Sequence, residues 1–195
     1  MFIQGSIIHL REITLQDIDT NRHWQQPCHR WQALDGPYYP KASSAEVEQI
    51  IIEIETRIET NKWPEPRTRL IIAHGQTNDL LGMVSRYWIS QETNWAALGI
   101  VIYDPELWGQ GIGYQAMGLW MDYLFEQYPE WVRLDLRTWS GNHGMSRLAQ
   151  KLGYRQEACF RKARIVDGIY YDSLGFGILR EEWHARFPTG FPGSA

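Results

Sequence analysis

Between residues 43 and 58 the apolar positions recur at helical spacing, as Val47, Ile50, Ile51, Ile54 and Ile58. Ser43 followed by Glu46 forms a capping-box pattern ahead of them, and Trp63-Pro64-Glu65-Pro66 closes the segment. An earlier strand is predicted over 7–11, with Thr14 capping a helix that runs through roughly residue 24. The stretch from there to Asp35-Gly36-Pro37-Tyr38-Tyr39-Pro40 reads as an aromatic-rich loop. Apolar runs over 69–73, 80–89 and 94–103, joined by turns at 75–79 and 91–93, predict three strands in an antiparallel meander.

The third run enters Asp104-Pro105-Glu106, a glycine cluster, and a helix with Ile112, Ala116, Leu119, Tyr123 and Leu124 on one face. A strand over 132–137 follows, so the unit implies a parallel pair joined by a crossover. A short helix over 145–152 ends at Gly153. Residues 154–179 read as two strands meeting at Asp167-Gly168. No repeat or linker interrupts the chain, which predicts one α/β domain over 1–195, antiparallel at both ends of its sheet and parallel in the middle.

Composition narrows the partners. The 195 residues are 44% hydrophobic and 22% charged, with a net charge of −4. No Lys/Arg stripe marks a phosphate-gripping face, so nucleic acid is not an expected partner. The longest apolar stretches are too short to span a bilayer, and the first residues lack a signal-peptide pattern. Cys28 and Cys159 lie far apart without ligand-like spacing, which fits a reducing interior and no metal centre. A cytoplasmic protein with no membrane partner is expected.

Trp108-Gly109-Gln110-Gly111-Ile112-Gly113 carries the most chemical information. Glycines between a strand and a helix let the backbone approach a ligand, and the free N–H groups of the helix start favour an anion. A tight turn without a ligand is the competing reading. A Walker loop would need Lys-Ser or Lys-Thr where Tyr114-Gln115 stands, and the alternating glycines miss the dinucleotide spacing.

The turn, Asn142 to Tyr154, Gly168-Ile169-Tyr170-Tyr171-Asp172, Glu182-Trp183, and the opening Leu10-Arg11 with Asp17 together resemble the GNAT family of N-acetyltransferases. The closest likeness is to its ribosomal-protein N-terminal acetyltransferase-like branch. Gly111 and Gly113 match two constant positions of the family's turn, while Trp108 stands where Gln or Arg is more common.

The resemblance implies the acyl-CoA N-acyltransferase fold. This is a mostly antiparallel sheet flanked by helices, with one central parallel pair that splays to admit acetyl-coenzyme A. It implies pyrophosphate binding by the backbone of Gln110, Gly111, Ile112, Gly113 and Tyr114. Pantetheine would pair along Ile100, Val101 and Ile102, with Asn142 holding it from the facing helix; Asn142 also reads as a plain N-cap. The implied reaction is direct attack of a neutral amine on the thioester, and the branch often forms dimers, so a homodimer is a possible assembly.

The positions at which relatives carry an acid or base hold Ala97, Leu98, Met145 and Ala149 here. Glu92, Tyr103 and Asp172, with His74, are substitutes whose alternative roles are structural. An acyl-coenzyme A sensor that keeps the fold without catalysis is therefore the alternative function. Trp24, Trp31, Tyr38, Tyr39 and Tyr170 are candidates for an acceptor wall, or for a small satellite core. Arg161, Lys162 and Arg164 form a basic cluster, read as a solvated strand face or a contact for the cofactor's 3′-phosphate. The acceptor is a small-molecule or peptide amine whose identity stays open.

Overall fold

The strands are β1 (Phe2–Gln4), β2 (Ile8–Arg11), β3 (Arg69–His74), β4 (Leu80–Ser90), β5 (Trp95–Ile102), β6 (Arg133–Trp139), β7 (Arg155–Val166) and β8 (Ile169–Leu179). They form one sheet in the order β1-β2-β3-β4-β5-β6-β8-β7, with every neighbouring pair antiparallel except β5 and β6. The helices are α1 (Ile18–Gln25), α2 (Ser44–Thr60), α3 (Ile112–Gln127), α4 (His143–Leu152) and α5 (Arg180–Arg186). This computed structural model describes residues 1–192. No helix among the described residues is long and apolar enough to cross a membrane.

Alternation along β5 divides the molecule into two sides. Ala96, Leu98, Ile100 and Ile102 join the main core beneath α3, together with Leu134 and Leu136 of β6. Val101 and Tyr103 join a smaller core on the opposite face with Trp31, Ile71 and Leu80. There α1 and α2 pack through Ile18, Val47 and Ile51. Ser43 and Glu46 close the expected capping box, and Asn61 ends α2 in the left-handed region.

Two elements lie outside the predicted set. β1 is only three residues long and is held by pairing with β2 and by the N-terminal ammonium on Glu12, 3.0 Å away. α5 buries Trp183, whose indole donates to the buried Asp122 of α3 at 2.9 Å. The expected helix from Thr14 begins instead as a 3-10 turn over Leu15–Asp17, and another such turn, Arg30–Ala33, shapes the aromatic loop. β6 runs two residues beyond its predicted end, and α4 starts two residues before its predicted start.

The entry to α1 is clamped by a buried ion pair. Arg11 makes two bonds to Asp17, at 2.7 and 2.9 Å, and two more to Asn78 on the β3–β4 turn. Burial pushes the Asp17 carboxyl up, but Arg11 and the N–H and hydroxyl of Thr14 outweigh it and hold the native pKa low. Stability from this group is therefore full above the unfolded carboxyl pKa and is lost as pH falls through the native value. Asp17→Ala leaves a buried guanidinium without its anion and should cost about 3–5 kcal/mol in urea denaturation at pH 7. The deficit relative to wild type should narrow in strong acid; a deficit that stays constant to pH 2 would argue against the assignment.

Candidate active site

β5 and β6 pair only at Ala96–Leu134, Ala97–Asp135 and Leu98–Leu136. Beyond these, β5 stays with β4 as far as Ile102, and β6 stays with β8 as far as Trp139. A gap opens between them. Tyr103 donates its N–H to the Leu81 carbonyl at 3.0 Å, so alternation turns the N–H and C=O groups of Ile100 and Ile102 toward the gap. The same alternation commits the Val101 backbone to β4. The Trp108 indole donates to the Ile102 carbonyl at 2.9 Å, which leaves the Ile102 N–H and both polar groups of Ile100 facing the gap.

The glycine turn flanks that opening. Gly109 and Gly111 adopt φ of +80° and +88°, and a Cβ at either would meet nothing within 4 Å. Backbone conformation rather than crowding requires glycine there. The first bond of α3 runs from the Gln115 N–H to the Gly111 carbonyl, so the N–H groups of residues 111–114 have no partner within the helix. A Cβ at Gly113 would lie 3.8 Å from both Ile100 and Leu148, at ordinary contact. Arg147 and Lys151 of α4 line the same region, with the Lys151 ammonium 4.4 Å over the Tyr114 ring.

A continuous cleft of about 1820 Å³ passes from the turn through the gap to the other face of the sheet. Of the residues expected at the cofactor, Ile100, Val101, Ile102, Gly111, Gly113, Tyr114 and Asn142 line it. The side chains of Gln110 and Ile112 do not: the Gln110 amide bonds back to the Glu106 carbonyl, and Ile112 is buried in the main core, although its backbone N–H is among the free donors at the start of α3. Asn142 caps α4 by accepting from the Met145 N–H at 3.0 Å. Its amide also donates to the Leu34 carbonyl at 3.1 Å, and the Trp139 indole reaches the same carbonyl at 3.1 Å.

These two hydrogen bonds to Leu34 hold the neighbouring Asp35 at the mouth of the gap. No hydrogen bond or ion pair engages its carboxylate among the described residues; the residue is exposed to the cleft, and partial desolvation there pushes its pKa up. Sequence reasoning treated Asp35 only as part of a turn.

The family model for the acetyltransferase (GNAT) domain matches residues 8–155. The chain belongs to the GNAT acetyltransferase family. It is 25% identical over 112 residues to the SPbeta prophage-derived N-acetyltransferase YokL of Bacillus subtilis, covering 57% of this chain and 62% of YokL. The chain thus spans about three fifths of the length of the curated relatives it matches. Among solved structures, the spermidine N-acetyltransferase of Vibrio cholerae, bound to CoA and spermine, superposes with a TM-score of 0.71. It is 20% identical, with 92% of this chain and 99% of that one covered. The ribosomal alpha-N-protein acetyltransferase RimL, in complex with coenzyme A, gives 0.71 at 18% identity over 92% and 98%. At these identities the likeness is one of fold.

Within this GNAT domain the expected proton carriers occupy other settings. Glu92 lies exposed in the β4–β5 turn, where its own backbone N–H and the Ser90 hydroxyl hold its carboxyl low. Tyr103 is buried between Trp24 and Trp31, accepts from the Gln25 amide at 3.1 Å, and has its pKa pushed up by burial. Asp172 accepts from the Lys162 N–H and pins a bulge in β7. None of the three lines the cleft. His74 accepts from two backbone N–H groups in its own turn.

The aromatic residues divide similarly. Trp24 belongs to the satellite core, and Trp31, largely buried there, also borders the cleft. Tyr38 and Tyr39 form its rim, while Tyr170 sits exposed near the β7–β8 hairpin tip and outside it. Of the basic cluster, Arg161 and Lys162 are solvated, but Arg164 lies in the cleft, 4.4 Å over the Tyr38 ring.

The two glycines should respond differently to alanine. Gly111→Ala forces a Cβ onto a left-handed backbone and should cost about 1–2 kcal/mol. Gly113→Ala, with ordinary contacts in the first turn of α3, should be neutral or stabilising by up to ~1 kcal/mol. Equal losses in chemical denaturation would contradict this geometry.

Proposed function

We propose that the protein transfers an acetyl group from acetyl-coenzyme A to a primary amine within a ternary complex. The observation that carries this reading is the single cleft joining the glycine turn to the opposite face of the sheet. Donor and acceptor can then meet at the β5–β6 gap from opposite sides. The N–H groups at 111–114 and the cations Arg147 and Lys151 suit the pyrophosphate and phosphate of the donor. The open Ile102 N–H and the N–H and C=O groups of Ile100 suit the amides of its pantetheine arm, and an N–H there would polarise the thioester carbonyl.

An alkyl ammonium must lose a proton before its nitrogen attacks the thioester carbon. We assign that step to Asp35, whose carboxylate is open to the cleft and has no cation partner that would hold it low. The amine nitrogen forms the new C–N bond and the C–S bond breaks; the proton that the nitrogen sheds in becoming an amide passes through water to the departing thiolate.

Thermal unfolding with acetyl-coenzyme A, using ATP and NAD as controls, tests the donor site. A hundredfold excess over Kd should stabilise by roughly 2.7 kcal/mol, and no shift would remove the reading. Asp35→Asn should lower kcat about a hundredfold or more while acetyl-coenzyme A binding persists. Because the base acts unprotonated, wild-type kcat/KM should fall as pH drops through the raised Asp35 pKa, and the Asn variant should lose that limb. A stabilising shift without turnover on any amine would favour the acyl-coenzyme A sensor, which the alanines and apolar residues at the family's usual acid and base positions also fit.

A further inference from the structure

Alternation along β6 puts Arg133, Asp135, Arg137 and Trp139 on the acceptor side of the sheet, away from α3. Their charges are not evenly matched. Arg133 bridges Asp135 and Glu157, each at 2.6 Å, so that cation is neutralised. Arg137, the first residue of β6 past its last paired position with β5, has no carboxylate partner among the described residues. Its guanidinium lies 5.9 Å from the centre of the Trp95 ring, and that of Arg133 lies 5.4 Å from the same centre.

Arg164 reaches the same cleft from β7, stacked over Tyr38 and Tyr39, and it too lacks a carboxylate partner. Two buried donors accompany these cations, which have no carboxylate partner. The Trp95 indole N–H and the Arg164 Nε–H have no acceptor among the described residues. A buried donor without an acceptor carries a desolvation cost, which an acceptor-rich ligand removes. Among the described residues the unmatched groups on this wall are donors and cations, whereas Asp35, a carboxylate without a partner, stands at the mouth of the gap.

Building on the acetyltransferase reading above, we propose that the acceptor is an amine that also carries a carboxylate. The amine meets Asp35 at the gap, and the carboxylate is held by Arg137 and Arg164 along the aromatic wall. A guanidinium fork pairs with a carboxylate through two parallel bonds, and the surrounding Trp and Tyr rings lower the local dielectric and strengthen the pairing. A polyamine would set further ammonium groups against Arg137 and Arg164, and is disfavoured.

The test measures coenzyme A release with three acceptors: the dipeptide alanyl-glutamate, its uncharged counterpart alanyl-glutamine amide, and spermidine. It also titrates each acceptor into protein saturated with coenzyme A. Alanyl-glutamate should exceed the other two at least tenfold in kcat/KM or in affinity. Arg137→Ala and Arg164→Ala should each collapse that ratio toward one through KM, and Arg137→Lys should restore part of it. Arg137 is exposed, so an unchanged melting temperature will separate lost recognition from lost folding. A preference for spermidine, or a ratio that survives both alanine variants, would overturn the charge assignment. It would leave the acetyltransferase reading standing, provided acetyl-coenzyme A still stabilises the protein and any amine is acetylated. Failure of that stabilisation would instead remove the underlying reading.

Discussion

The parallel ladder between β5 and β6 stops after Leu98 and Leu136 because each strand stays registered with its outer neighbour. β5 follows β4 to Ile102 and β6 follows β8 to Trp139, and sheet twist carries the two pairs apart. A gap in mid-sheet leaves amide groups without strand partners, and such groups favour a ligand that can pair with them. The positions of the other functional parts follow from that opening. The glycine turn follows β5 directly, and α4 begins directly after β6, so two helix N-termini flank the gap.

The two sides of the sheet are chemically distinct because strand residues alternate. On the α3 side the gap meets free backbone N–H groups and the α4 cations. On the other side it meets aromatic rings, a carboxylate and unmatched guanidiniums. The Trp108 indole on the Ile102 carbonyl shows how a departure from the common turn sequence is absorbed. A ring N–H caps the last acceptor of β5, while the glycines after it keep their conformations.

Much of this was legible from local pattern. Helical periodicity from Val47 to Ile58 marked α2, and alternating apolar runs marked the meander, because burial imposes those periods on the sequence. The glycine turn was legible because φ values near +80° and +88° select one residue type. β1 and α5 were not, since three residues and a short helix carry too few positions to display a period. Tyr103 read as a possible proton donor, but a strand end does not reveal which side its last residue faces, and Trp24 and Trp31 enclose it. Asp35 was missed for the opposite reason. Its setting depends on contacts from Trp139 and Asn142, 105 and 108 positions away from Leu34 along the chain, and no local window contains them.

Those two bonds end on a main-chain oxygen, and every residue type offers one. The anchor at position 34 therefore places no demand on the side chains around it. Segments of different composition could be hung from the same point, each presenting new groups to the opening while the strands and the donor side stay as they are. The strap is thus exchangeable, and divergence among homologues can proceed there without reopening the problem of folding the sheet.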